Sequence, residues 1–380
     1  MRIGVPKEIK VHEYRVAATP DLVQTLVAAG HEVWIQTQAG ERIGYTDEMY
    51  RNAGAQIVDT AAQVYACELV FKVKEPQLSE VALLRKGQVI FCYLHLAAEP
   101  ELTRKMLESQ CVGIAYETVV NIAGALPLLT PASEIAGRVA IQVGATALQM
   151  NYGGSGVLLG GVPGTPRGRV VVLGGGVSGT EAARMAIGLG AQVTVVDRDI
   201  SRLRQLDILF QGKLTTRYAN QGAIEEVVKG ADLVVGAVLI AGKKAPKLVS
   251  RAMVAKMRPG SVIVDIAIDQ GGCCETSKPT THDAPTYVCE GVIHYCVTNM
   301  PGTCPRTATQ AITNATGRYV IDIASKGYQK AMLDDPGLRQ GLNVHFGKVT
   351  NRYVAEDLGY EFVLPEEILS GGTTSISGGH

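Results

Sequence analysis

The chain has no excess charge of either sign: over 380 residues, lysine plus arginine number 36, and aspartate plus glutamate also 36. No basic run appears, so the electrostatic footprint of a nucleic-acid binder is missing and small-molecule partners fit better. Long apolar runs are missing too. The most apolar stretches, such as Ala231 to Gly242, fall short of the roughly 18 to 20 residues needed to cross a bilayer, and no membrane span is expected. The segment from Met1 to Lys10 enters a strand-like Ile3-Gly4-Val5 without an apolar signal-peptide core, which makes the cytoplasm the expected location. The cysteines, at positions 67, 92, 111, 273, 274, 289, 296 and 304, include no CxxC pair and no histidine at metal-ligand spacing. No metal is therefore expected, and the thiols read as reduced core residues. Cys273 and Cys274 lie near a candidate functional loop, yet a catalytic thiol needs a local base and the sequence offers none nearby.

What is present is core-forming material: 46% of residues are apolar and 19% charged, in a chain long enough for two domains of common size. Short apolar runs (Arg2 to Val5, Glu32 to Gln36, Glu68 to Val73, Gln88 to Cys92) alternate with helix-length segments such as Pro20 to Ala29. Thr19 supplies an N-cap before Pro20, and Gly30 closes the same helix. This alternation predicts α/β architecture with parallel sheets. Near residue 130 the texture changes: Thr130-Pro-Ala-Ser133-Glu134 opens a small-residue helix to about Met150, ahead of the glycine-rich stretch from Gly153 to Gly168.

The stretch Arg169-Val-Val-Val-Leu173 reads as a buried strand, and Gly174-Gly-Gly176-Val-Ser-Gly179 follows directly, with a helix from Thr180 to Leu189. Gly174, Gly176 and Gly179 match GxGxxG: a tight turn, backbone approach to a pyrophosphate, and close helix–sheet packing, with the positive helix N-terminus behind them. The next strand, from Gln192 to Val196, runs into Asp197, whose carboxylate can accept both ribose hydroxyls of NAD and repel the 2′-phosphate of NADP. NAD is therefore the expected cofactor, although Arg198 beside Asp197 could tolerate a phosphate. Strand and helix then alternate again (helix Gln221 to Lys229, strand Asp232 to Val238, helix Ser250 to Met257, strand Ser261 to Asp265). Strand ends thus mark Ala237-Val238-Leu239 and Ile266-Ala-Ile-Asp269-Gln-Gly-Gly272 as candidate ligand segments. From spacing alone, Asp269 before glycines reads as a turn residue.

Four segments carry a resemblance over nearly the whole chain: Gly4-Val-Pro-Lys-Glu8 with Arg15-Val-Ala-Ala-Thr-Pro20; Lys72-Val-Lys74-Glu-Pro76; Tyr93-Leu-His95-Leu-Ala97; and Asp265-Ile-Ala-Ile-Asp269-Gln-Gly-Gly272 continued by Tyr295-Cys-Val-Thr-Asn299-Met-Pro301. With the nucleotide fingerprint, they resemble the alanine dehydrogenase and pyridine nucleotide transhydrogenase family. The sequence departs from it in one place, His12 before Glu13, where the family signature has an asparagine. The resemblance implies two doubly wound parallel-sheet domains with the active-site cleft between them. One is a discontinuous substrate domain (1–128 and 304–380), the other a Rossmann NAD-binding domain (129–303). It further implies reversible NAD-dependent oxidative deamination of L-alanine to pyruvate and ammonium, in amino-acid catabolism, by a homohexamer.

The same resemblance implies that Arg15 and Lys74 bind the substrate carboxylate and carbonyl and that His95 and Asp269 carry acid/base work. It adds Ser133, Val177, Ser178, Asp197, Arg202, Val238, Leu239, Ile266 and the stretch Val297 to Met300, Asn299 included, to the glycines of the cofactor pocket. A guanidinium can hold a carboxylate by two parallel hydrogen bonds, a buried ammonium can stabilise a developing oxyanion, and an imidazole titrates near working pH. Taken singly, Arg15 reads as a surface ion pair, Lys74 as a solvated strand end, His95 as a core histidine on an apolar strand, and the pocket's aliphatic residues as ordinary walls. Two other readings remain open: a soluble NAD(H)-binding component of a proton-translocating transhydrogenase, and a nucleotide-sensing module. Beyond Pro305 two more helices are expected, Thr307 to Ser325 and Lys348 to Leu358, and the residues from Ser370 to Gly379 read as a mobile tail.

Overall fold

Short runs rich in valine and isoleucine form the strands, because branched side chains fit a pleated surface buried on both sides. The structure, a computed structural model, describes residues 1–238 and 244–370; Leu239 and the tail from 371 onward lie outside the described residues. In chain order the described strands are β1 (Arg2–Val5), β2 (Glu32–Gln36), β3 (Gln56–Val58), β4 (Leu69–Phe71), β5 (Val89–Cys92), β6 (Val112–Ala115), β7 (Arg169–Leu173), β8 (Gln192–Asp197), β9 (Thr215–Tyr218), β10 (Leu233–Gly236), β11 (Val262–Asp265), β12 (Thr286–Cys289), β13 (Val292–Tyr295), β14 (Leu342–His345) and β15 (Lys348–Val349).

The chain divides into two units, one formed by Met1–Pro131 with the segment from Cys304 onward, the other by Ala132–Thr303. The first unit's sheet runs β3-β2-β1-β4-β5-β6-β14-β15, and the second's runs β9-β8-β7-β10-β11-β13-β12. Numbered within its own unit, each sheet begins 3-2-1-4-5, the doubly wound order, continued by strand 6 in the first and by strand 7 ahead of the antiparallel strand 6 in the second; the switch point lies between β1 and β4 or between β7 and β10. The crossover strands are parallel. Antiparallel pairing is confined to one edge of each sheet. There the two-residue turns Glu290-Gly291 and Phe346-Gly347, all with positive φ, close hairpins that match the right-handed strand twist. The second hairpin corrects an expectation: the segment expected to be helical from Lys348 opens as β15, and its helix begins only at Arg352 and runs to Leu358. Hydrogen bonding to β14 overrides local helix propensity at Lys348 and Val349.

Successive strand residues enter different cores. In the first unit Leu69, Phe71, Val89 and Phe91 pack on one face, and Val70, Ile90 and Cys92 on the other. In the second unit Val170 and Val172 pack on one face, Val171 and Leu173 on the other. A period of two with both phases apolar is what a sheet covered on both faces requires. Only the loops at the strand ends remain to carry polar chemistry.

Phe91 anchors the first unit's core, with its ring 4.5 Å from Tyr116 edge-on and 6.0 Å from Phe71 in a stacked arrangement. Phe91→Ala should therefore lower stability by about 3–5 kcal/mol, read from the urea midpoint at unchanged slope. A loss under ~1 kcal/mol would show that this aromatic cluster is dispensable.

Candidate functional site

Three of the residues singled out in the first unit follow the carboxyl ends of neighbouring strands: Arg15 after β1, Lys74 after β4 and His95 after β5. Arg15 is only 2% exposed, so the surface ion pair expected of an isolated arginine is instead a buried one. Its Nε and Nη2 donate to the two carboxylate oxygens of Glu13 at 2.7 and 2.6 Å, a bidentate pair that fixes the plane of the guanidinium. Burial works against both charges. Each partner outweighs it for the other, holding Glu13 below the usual carboxylate range and Arg15 above its ordinary value. His12, the departure from the family signature, takes φ 60 and places Nδ1 3.4 Å from the Tyr14 hydroxyl.

Lys74 lies three residues past the end of β4, not on the strand, and its ammonium is 3.9 Å from Glu75. Burial pushes its pKa below the ordinary lysine value; Glu75 opposes this, and Arg15 and Lys10 add to it. The loop carrying Lys74 is built on a buried ion cluster that the sequence gives little sign of. Lys72 is 1% exposed; its ammonium donates to Glu8 at 2.9 Å and to the carbonyls of Lys74 and Glu75 at 3.0 and 3.4 Å, and it pairs with Glu80 at 3.4 Å. Burial disfavours that charge, and Glu8 and Glu80 outweigh it, raising Lys72 above the usual lysine range. Glu8 in turn accepts the backbone N–H groups of Val73 and Lys74.

His95 is likewise not a core histidine on a strand. β5 ends at Cys92, and the His95 side chain is 43% exposed with its backbone in the left-handed region at φ 49. A residue with a Cβ holds that conformation only where its surroundings enforce it. Here the Glu117 carboxylate accepts the N–H groups of Leu94 at 3.2 Å and His95 at 2.6 Å, and its Oε1 lies 4.0 Å from the imidazole Nδ1. The imidazole stacks on Tyr93 at 5.8 Å and 7°, and the Tyr93 hydroxyl is tied to the Leu128 carbonyl. Glu13, Glu117 and Tyr93 were not singled out as site residues from the sequence. Glu13, two residues from an arginine, carries the one local signal that could have identified a partner.

In the second unit the three fingerprint glycines meet separate demands. Gly174 has φ +98, and a Cβ there would lie 2.8 Å from the Ala237 carbonyl oxygen and 3.1 Å from the Val238 Cα. At Gly179 a Cβ would fall 1.8 Å from the Gly174 carbonyl oxygen, whereas at Gly176 it would meet nothing within 4 Å. The turn, the close packing and the open approach are thus assigned to Gly174, Gly179 and Gly176 respectively. Helix Val177–Gly188 begins three residues earlier than the sequence suggested; its N-cap, Gly176, supplies no side-chain acceptor, which leaves the helix N-terminus to a ligand. Val177 is exposed and Ser178 half-buried. Gly137 brings helix Thr130–Ala147 against the Ser178 carbonyl, where a Cβ would lie at 2.1 Å, and Ser133 sits one turn earlier on that helix.

Asp197 ends β8 and accepts the N–H of Gly175 at 2.7 Å and of Asp199 at 2.9 Å, one on each oxygen, leaving lone pairs for further donors. Arg202 ties down the same turn, donating to the Gly175 carbonyl at 2.6 Å and the Thr180 hydroxyl at 2.7 Å, while Arg198 is exposed. Val238 follows β10 and is half-buried. Ile266 and Asp269 lie in a 3-10 turn, Ile266–Gln270, directly after β11, with Asp269 exposed; the buried turn-capping aspartate is Asp265. Val297 and Met300 are buried and Asn299 takes φ 58. These residues fit a dinucleotide: an uncapped helix N-terminus faces an opening no Cβ fills, with a carboxylate at the end of the neighbouring strand. All eight cysteines are free thiols; Cys289 and Cys304 are half-buried rather than core residues, because they lie at an edge strand and a helix cap. Among the described residues no helix is long and apolar enough to cross a membrane.

Lys72→Ala removes the counter-charge of two buried carboxylates and should cost about 3–5 kcal/mol in urea denaturation, with the Glu8→Gln/Lys72→Met pair recovering part of the loss. A Lys72→Ala protein as stable as its parent would show that the cluster has no structural role.

Comparison with known proteins follows the same division. Residues 4–136 match the alanine dehydrogenase/PNT N-terminal domain, and residues 140–352 match the alanine dehydrogenase/PNT C-terminal domain. The chain is 55% identical to an alanine dehydrogenase of Halomonas elongata, covering 96% of this chain and 98% of that one. It is 53% identical to an alanine dehydrogenase of Bacillus subtilis across the whole of both chains. A solved L-alanine dehydrogenase superposes with a TM-score of 0.92 at 52% identity, over 94% of this chain and 99% of that one. A transhydrogenase structure from Sinorhizobium meliloti, at TM-score 0.79 and 24% identity over 93% of this chain and 99% of that one, shares the fold. With two doubly wound units, the glycine turn and both domain matches, the chain belongs to the alanine dehydrogenase/PNT family.

Proposed function

We propose that this chain catalyses the reversible, NAD-dependent oxidative deamination of L-alanine: alanine, NAD⁺ and water give pyruvate, ammonium, NADH and a proton. The observation that carries the reading is full-length identity above one half to alanine dehydrogenases. In this reading the first unit is the substrate domain and the second the cofactor domain. Gly174, Gly176, Val177, Ser178 and Gly179 hold the pyrophosphate, and Asp197 takes the ribose hydroxyls, favouring NAD over NADP. Arg202 holds the glycine turn in place, and Ser133, Val238, Ile266, Val297, Asn299 and Met300 line the rest.

When bound, NAD accepts the hydride from C2 of alanine. Arg15, oriented by Glu13, takes the substrate carboxylate, which fixes the direction of C2 and lowers the entropic part of the barrier. Lys74 donates to the oxygen on which charge develops; its depressed pKa makes it a ready proton donor. His95 gives or takes the proton of the carbinolamine hydroxyl as water adds to the imine. Asp269 orients that water and the departing ammonia. A homohexamer working in the cytoplasm completes the reading; sedimentation would give its mass.

In initial-rate assays NADH oxidation should require both pyruvate and ammonium, with NADPH a much poorer substrate. His95→Ala and Asp269→Asn should each lower kcat by roughly 10²–10⁴-fold while NADH still binds. NADH binding without turnover on any 2-oxo acid would overturn the reading in favour of a transhydrogenase component or a sensor.

A further inference from the structure

A second group of chemistry-bearing side chains lies behind the Asp269 turn. Asp265, at the end of β11, has no solvent exposure; its Oδ2 accepts the N–H groups of Cys273 at 2.8 Å and Cys274 at 3.3 Å and the Ser277 hydroxyl at 2.6 Å. Its Oδ1 is buried and accepts no hydrogen bond. Cys273 and Cys274 are also fully buried, and their two sulfurs and a carboxylate oxygen of Asp265 all lie within 4.8 Å of one another. Gly236 makes room for the group: a Cβ there would stand 2.4 Å from the Cys273 Sγ and 2.8 Å from Asp265 Oδ1.

A buried carboxylate oxygen without a donor lacks a positive partner, and here two sulfurs share its surroundings. Two thiolates and one carboxylate are a donor set for soft or borderline cations with no geometric preference of their own. We propose that Asp265, Cys273 and Cys274 bind a thiophilic d¹⁰ cation of the Zn²⁺ class. On binding, each thiol loses its proton to solvent, two metal–sulfur bonds form, and Asp265 Oδ1 gains the partner it lacks. The three anionic ligands exceed a divalent cation by one negative charge. Lys247 supplies the balance, since its ammonium donates to the carbonyls of Gly271, Gly272 and Cys274 on the same loop, at 2.6, 2.8 and 3.1 Å. A cation held there secures the segment that follows Asp269 and links the site to its turn.

The test uses the full chain and Cd²⁺ as the probe, reading the ultraviolet thiolate-to-metal charge-transfer band during titration. One equivalent per chain should bind with a band of two-thiolate intensity. The band should halve in Cys273→Ser or Cys274→Ser and vanish in the double variant, with folding checked by circular dichroism. Asp265→Asn should weaken binding at least about 10-fold at the same band intensity. Cys289→Ser/Cys304→Ser, which removes the two half-buried thiols, should leave the titration unchanged. No stoichiometric band in the parent, or an undiminished band in Cys273→Ser/Cys274→Ser, would overturn the proposal.

Discussion

The first unit depends on keeping one ammonium charged where no water reaches it. Lys72 emerges from β4 at the switch point, where the sheet's two windings separate and the loops after β1 and β4 are brought side by side. An unpaired ammonium there would be far too costly to retain, so the loop after β1 must deliver Glu8, and the short helix Leu78–Val81 must deliver Glu80. Once in place, the cluster also orders backbone. Lys72 holds two carbonyls of the following turn and Glu8 holds two of its N–H groups, which leaves little freedom at Lys74. Replacement by apolar residues of equal volume could match the stability, but could not hold the four backbone groups that position Lys74.

The second unit solves the same topological problem at its own switch point with glycines in place of a buried lysine cluster. At its switch point the loop after β7 turns within a few residues, and glycines rather than ion pairs allow the backbone to pass so closely. The contrast follows from what each loop must present. On the proposed function, the glycine loop meets a phosphate through its N–H groups and needs bare backbone, whereas the loops of the first unit meet a carboxylate and a carbonyl through long charged side chains that must be held still.

Legibility followed the range of the interactions. The glycine turn could be read from the sequence because each glycine acts within a strand–turn–helix unit of about a dozen residues, and β1, β2 and β7 could be read because each is a short run carrying valine or isoleucine, continuous in β7. The partners of Lys72 lie 64 residues earlier in the chain and eight later, and no local pattern marks such pairs. The left-handed backbone of His95 was hidden for the same reason, since it is fixed by Glu117, 22 residues on. β15 was hidden by a hairpin whose turn is Phe346-Gly347 rather than the Asn-Gly that announces such turns.

The aspartates after β11 divide two tasks that sequence reading combined. An aspartate ahead of glycines was read as a turn residue, and a turn-capping aspartate does exist there, but it is Asp265, whose carboxylate gathers the N–H groups of Cys273 and Cys274 and the hydroxyl of Ser277. Asp265 holds the returning loop, and Asp269 stands exposed in the 3-10 turn between them. On the proposed function, Asp265 keeps the turn in place while Asp269, four residues on, carries the acid/base work, so that one turn is both rigid and reactive.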